Sequence, residues 1–269
     1  MEEDEIIKSI SEFRLDIPHN IDISPISIAK IINRNTKYTN NYIRHLILCE
    51  KQRTFYENLS QETLEALIEY KGYGFESMNN ELRHFDKNRP YRDIYYRYYL
   101  IDRAFLDRDV LKTEETIILF RGCDDSYSGL HKAYISTTFN FDIALTFAKK
   151  VGYIIMIPKG TPYIYMEQFV STNQEKYDSS ISIKTLISRH KKNLESPDIS
   201  DEKFAILSYD ECEILLPRNL KIIPTDKFVL NFDRENVDGY PSCHDHWDEG
   251  LSSDSDKINI DFYSAILSS

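Results

Sequence analysis

The chain has 269 residues, 41% hydrophobic and 13% aromatic, enough to bury a substantial core in one or two domains. A formal net charge of -11 and a pI near 5.2 repel phosphate backbones, so bulk charge gives no support to nucleic-acid binding. No apolar run approaches the ~20 residues of a membrane helix, and the four cysteines lie far apart with no CxxC pair.

The start, "MEEDEIIKSI", is acidic and lacks the basic-then-apolar order of a secretory leader. We therefore expect a soluble, cytoplasmic monomer, in a host cell's cytoplasm if the protein is viral or a delivered effector. Residues 1 to about 112 read mainly as helix. "EIIKSISEF" puts Ile6, Ile7, Ile10 and Phe13 on one face. Ser24 and Pro25 suit a helix start, and Tyr42, Leu46 and Cys49 follow at helical spacing. Ser60 caps "QETLEALIEY", with Gly72 as its stop. The tyrosines of "YRDIYYRYYLIDRAF" form a packed helix face.

After Glu115 the texture changes. "TIILF", "YISTTF", "GYIIMIP", "PYIYM" and "ECEILLP" are short Ile- and Tyr-rich segments bounded by Gly, Pro or polar residues, which are strand signals. One short helix, "FDIALTFAKK" with Asn140 before it, interrupts them. Strands clustered after helices indicate α+β, not alternating βαβ. Neither a GxGxxG fingerprint nor a P-loop is present. Residues 167–200 are a polar insertion with one expected helix. From 238 to 256 the chain carries six acidic residues and no Lys or Arg, and it reads as exposed or partly disordered. His244 and His246 beside Cys243 lack the further ligands of a tetrahedral metal set.

Three motifs fall at strands. In "ECEILLP", a strand over 211–217 would point Glu211 and Glu213 to one face, roughly 6–7 Å apart, and Cys212 to the other with Ile214 and Leu216. Such a pair is either a solvated strand edge or two carboxylates sharing one cleft. Arg121 ends an apolar strand and Gly122 follows. The pair is either a strand-closing surface Arg or a bidentate phosphate clamp with room for close backbone approach. Ser136, Thr137 and Thr138 are either strand formers or hydroxyls that orient a carboxylate.

Arg-Gly, then Ser-Thr-Thr, then Glu-x-Glu, in that order, resembles the arginine-type mono-ADP-ribosyltransferases of the R-S-E class, which include clostridial binary-toxin enzymes and vertebrate ecto-transferases. "YKGYGFESMNNELR", "MIPKGTPYIYM" and "EILLPRNLKII" resemble flanking segments of that family, so the likeness runs from about 60 to 225. The third hydroxyl is Thr138 where the family usually has Ser. The resemblance implies a split β-sandwich of two packed antiparallel sheets with a helical N-terminal part. It divides the chain into a helical extension over 1–58, a catalytic domain over 59–228 and an acidic, partly flexible tail over 229–269.

It further implies NAD as a consumed substrate, no metal, and an arginine-bearing protein as acceptor. Arg121 would hold the NAD phosphates beside Gly122, with Phe75, Asn79 and Lys150 as further NAD contacts and Phe147 stacked on nicotinamide. Ser136 would aim Glu213 at the ribose. Glu211 would engage the acceptor guanidinium, and Ser208 and Tyr209 would form the recognition turn. Transfer to water by the same site, and an inactive partner-binding module, remain the alternatives.

Overall fold

A computed structural model describes residues 2–17, 44, 47–71, 75–88, 90–123, 129–148, 151–166, 212–233 and 257–269. A helical layer comes first: α1 (Glu3–Glu12), α2 (Arg53–Asn58), α3 (Gln61–Glu69), α4 (Phe75–Arg83) and α5 (Asp93–Phe105). The Ser60 cap forms as expected, its hydroxyl accepting from Thr63 N at 3.2 Å. The tyrosine stripe of α5 is also a packed face, with Tyr95 and Tyr98 fully buried. The expected helix starting at Ser24, the stop at Gly72, the 167–200 insertion and the His244–His246 stretch lie outside the described residues.

The strands are β1 (Leu111–Lys112), β2 (Ile117–Cys123), β3 (Gly129–His131), β4 (Ile135–Thr138), β5 (Val151–Ile157), β6 (Pro162–Tyr165), β7 (Glu213–Leu216), β8 (Leu220–Asp233) and β9 (Lys257–Ser268). One more helix, α6 (Phe141–Phe147), follows β4, and Ala144 N donates to Asn140 O at its start. Among the described residues the strands run in the order β1-β6-β7-β4-β2-β5-β9-β8-β3. The two halves of that order meet at a single residue pair, Phe120 of β2 with Thr138 of β4. Side chains from both halves, such as Ile135, Ile214 and Leu216 on one and Leu119, Tyr153 and Ile155 on the other, share one buried cluster. The halves therefore face each other across a common core, joined at a thin seam, and the class is α+β. Among the described strands pairing is antiparallel except between β5 and β9, which run parallel.

Two parts expected to lie outside residues 59–228 share core and strand pairing with them. Ile6 and Ile10 of α1 share a core with Leu67 of α3 and Ile101 of α5. β9, in the stretch expected as a tail, is an inner strand paired with both β5 and β8, and β8 continues past residue 228 to Asp233 with a register shift between Pro224 and Asp226. The physical reason is the apolar content of "INIDFYSAIL": Phe262, Ala265 and Leu267 are buried, and the acidic run before them masked a strand in the composition.

Candidate active site

The register of the sheet brings the sequence motifs together. Glu213, the first residue of β7, pairs with Thr138 of β4, and Thr138 pairs with Phe120 of β2, the neighbour of Arg121. With strands spaced at 4.7–4.9 Å, β7 and β2 lie about 10 Å apart at this level. Ser136 pairs with Leu215, so Ser136, Thr138, Glu213 and Leu215 share the face turned toward the helical layer, where Leu215 is buried. Thr137 takes the other face, its hydroxyl donating to Ile214 O at 2.8 Å. The hydroxyl of Thr138 accepts from Asn140 N at 3.0 Å, which ties the strand to the start of α6.

Arg121 is half-buried. Its Nη1 donates to the carbonyl of Ser136 and its Nε to the sulfur of Cys123 at 3.2 Å. The guanidinium therefore bridges β2 and β4 close to the seam. Gly122 faces α6: a Cβ there would lie 2.2 Å from Ala144 O and 2.3 Å from Ala148 N. The missing side chain admits the backbone of α6, a close approach within the protein that the sequence reading assigned to a ligand. That contact places Phe147, the last residue of α6, with 41% of its surface exposed beside β2.

Glu213 meets a residue that the sequence reading passed over. Lys71 Nζ lies 3.3 Å from Glu213 Oε2, and the two side chains are only 9% and 12% exposed. Lys71 occupies the variable place in the "YKG" word, which a motif match treats as silent. Next to it, Tyr70 is buried with its ring edge-on to Tyr134, centroids 5.6 Å apart, and its hydroxyl accepts from Asn79 Nδ2 at 3.0 Å. The Oδ1 of Asn79 is buried and has no hydrogen-bond partner among the described residues. Burial first, and the Glu213 carboxylate second, push the Tyr70 phenol well above its usual range, against the Asn79 bond and the cations Arg121 and Arg83.

The same two arginines act on His131 of β3. Burial, then Arg121, then Arg83 push its pKa down to about 4, so its ring is neutral at pH 7. Sequence reading gave no signal for His131, because no local pattern marks an imidazole brought to two arginines by the fold. A strongly acidic protein thus holds Lys71 against Glu213 and brings Arg83 and Arg121 within electrostatic reach of Tyr70 and His131, a local field that suits an anion.

Other site expectations fare differently. Phe75 opens α4. Lys150, Ser208, Tyr209 and Glu211 lie outside the described residues. The strand expected over 211–217 begins at Glu213, because Cys212 has φ 46, a left-handed conformation that ends strand alternation there. Cys212 is nonetheless buried in the cluster that holds Ile214 and Leu216.

Comparison with known proteins identifies the family and the fold. The model of the ADP-ribosyltransferase exoenzyme family matches residues 49–230, well over half of the chain. The chain belongs to the ADP-ribosyltransferase exoenzyme family. In fold it is similar to Plx2a, an ADP-ribosyltransferase toxin from Paenibacillus larvae, with 14% identity and a TM-score of 0.53 over 86% of this chain and 97% of that one. It is similar to the ADP-ribosylating toxin BECa of a C. perfringens binary enterotoxin, solved with NADH, at 18% identity and a TM-score of 0.50 over 84% of this chain and 48% of that one. It also resembles the C3 exoenzyme of Clostridium limosum, at 17% identity and a TM-score of 0.50 over 85% and 94%. No curated protein matches it in sequence.

Proposed function

We propose that this member of the family is an NAD-dependent mono-ADP-ribosyltransferase that moves ADP-ribose from NAD to an arginine side chain of a target protein. The observation that carries the reading is the seam itself: Arg121, Ser136 and Glu213 converge where the two sheet halves part, inside a cluster of cations. The fold relative from C. perfringens is seen with NADH, which supports a dinucleotide as the bound molecule. The catalytic unit takes in 59–228, completed by β9.

In the reaction, the C–N bond between ribose and nicotinamide breaks and its electron pair leaves with the nicotinamide. A cationic leaving group needs no proton to depart. What the step needs is anchored phosphates and a negative charge beside the developing oxocarbenium. Arg121 anchors the phosphates in a bidentate fork, with Lys150 assisting. Phe147 stacks on nicotinamide, Phe75 and Asn79 line the dinucleotide, and the buried Oδ1 of Asn79 is a ready acceptor. Glu213 binds the ribose 2′-hydroxyl and stabilises the cation, with Ser136 on the same strand face to orient it. A guanidinium nitrogen then bonds to the ribose carbon and gives up a proton to Glu211. Ser208 and Tyr209 form the turn that meets the acceptor protein.

The experiment is paired. Nicotinamide release without acceptor and label passed from NAD to agmatine are measured for the wild type and for Glu211→Gln. The expected result is labelling of an arginine analogue by the wild type, and a loss in Glu211→Gln at least tenfold larger for transfer than for release. Release without labelling by the wild type makes the protein a NAD glycohydrolase. Equal losses place Glu211 in the bond-breaking step.

A further inference from the structure

We infer that Lys71 is a positioning residue for Glu213, holding the carboxylate in its working direction before the dinucleotide arrives. The inference rests on the catalytic reading of Glu213 above. Lysine is almost never buried unless paired, yet the Lys71 side chain is 9% exposed and reaches across 142 residues of sequence to Glu213 Oε2. Its point of attachment is firm: Tyr70, the residue before it, is 1% exposed and locked by Tyr134 and Asn79. The ammonium is therefore delivered by the buried end of the helical layer, not by a loose surface arm.

Such a contact bears on the aim of the Glu213 carboxylate. Glu213 is the first residue of its strand, preceded by Cys212 in a left-handed conformation, so the ladder to Thr138 supports its backbone from one side. Three rotatable bonds separate that backbone from the carboxylate. A carboxylate has two oxygens and about four lone-pair directions, so a cation held on Oε2 is compatible with a ribose hydroxyl on the other oxygen. A nearly buried carboxylate deprived of its cation relaxes toward other partners, and a reacting group displaced by about 1 Å loses up to about 10²-fold in rate.

The test uses the full chain as wild type, Lys71→Met, Lys71→Arg and Glu213→Gln. Nicotinamide release is measured over a range of NAD concentrations, and affinity is measured by calorimetry with a non-hydrolysable NAD analogue. Lys71→Met is expected to lower kcat about 10-fold or more while KM and the analogue's Kd stay within about threefold, and Lys71→Arg to recover kcat to within about threefold of the wild type. Should Lys71→Met not fold, Lys71→Gln is held to the same thresholds.

A kcat for Lys71→Met within twofold of the wild type overturns the inference. So does a fall in kcat matched by an equal loss of affinity, which makes Lys71 a direct ligand of NAD, and so does a failure of Arg to rescue. The two levels separate cleanly. An active wild type with inactive Glu213→Gln and unaffected Lys71→Met overturns the role of Lys71 alone, whereas a wild type that releases no nicotinamide overturns both.

Discussion

Among the described residues two nearly buried ion pairs tie distant parts of this chain together, Arg218 with Asp102 and Lys71 with Glu213, and they are built on opposite plans. Arg218 follows β7 in a tight turn closed by Asn219 at φ 62. Its Nε lies 2.9 Å and 3.1 Å from the two oxygens of Asp102, and its Nη2 lies 2.5 Å from Oδ2. Nη2 also donates to Ile10 O at 2.6 Å, and the Tyr134 hydroxyl donates to Asp102 Oδ1 at 2.9 Å. The guanidinium lies over the Phe13 ring, 4.9 Å from its centroid. Side-chain exposures are 5% and 2%. This knot joins α1, α5 and the turn after β7, and it is saturated with bonds. In the Lys71–Glu213 pair the Lys71 ammonium lies 3.3 Å from Oε2 of Glu213, a point charge on a long side chain in place of a fork. The fork fixes the chain. The point charge holds a carboxylate ready for another partner. The difference teaches that two nearly buried pairs can differ in kind: a bidentate fork fixes geometry, and a point charge fixes only proximity.

Asp102→Ala should cost about 3–5 kcal/mol in denaturant unfolding, because Arg218 is left buried without its counter-charge. Replacing both partners by apolar residues, Asp102→Leu with Arg218→Met, should return most of that loss, since desolvation of the pair is removed with it. Full loss in the double variant would mean that the knot is a net source of stability and not a device for holding α1 in place.

A smaller effect sharpens the other side. His131 has a folded pKa of about 4 against an ordinary 6.5, pushed down by burial, then Arg121, then Arg83. The unfolded chain takes up a proton as pH falls through 6.5, and the folded chain resists until about 4. Stability from this residue is therefore fully present above pH 6.5, falls between 6.5 and 4, and levels off below. The loss should be of order 1–2 kcal/mol once solvent screening is allowed for. Urea midpoints of the wild type and His131→Gln, compared at pH 7.5 and pH 4.5, measure it. A wild type no more acid-sensitive than the variant would show that burial and the two arginines exert no such pressure on His131.

Those two regions also mark what the sequence made legible. β2, β4, β5, β6 and β7 stand out as Ile- and Tyr-rich runs between polar breaks, and α5 as an aromatic stripe, because burial leaves a local periodic trace. The order Arg121, Ser136, Glu213 was legible because a register of neighbouring strands turns sequence order into proximity. Lys71 and His131 were not, since their partners lie across the fold and no spacing rule connects them. β9 was hidden by the acidic stretch before it. The role of Gly122 was half legible: the need for close approach showed, but not that α6 makes such an approach. The left-handed Cys212 carries no signal, since non-glycine residues rarely adopt that conformation.

The central claim is that Glu213 stabilises the ribosyl cation formed from NAD. The measurement that tests it most directly is the kcat of nicotinamide release by Glu213→Gln, with analogue affinity and melting temperature followed in parallel. Gln keeps the shape and removes the charge. The account predicts a fall in kcat of about 10²–10³-fold with affinity held within about threefold. A variant that turns over within tenfold of the wild type, equally well folded, would contradict it.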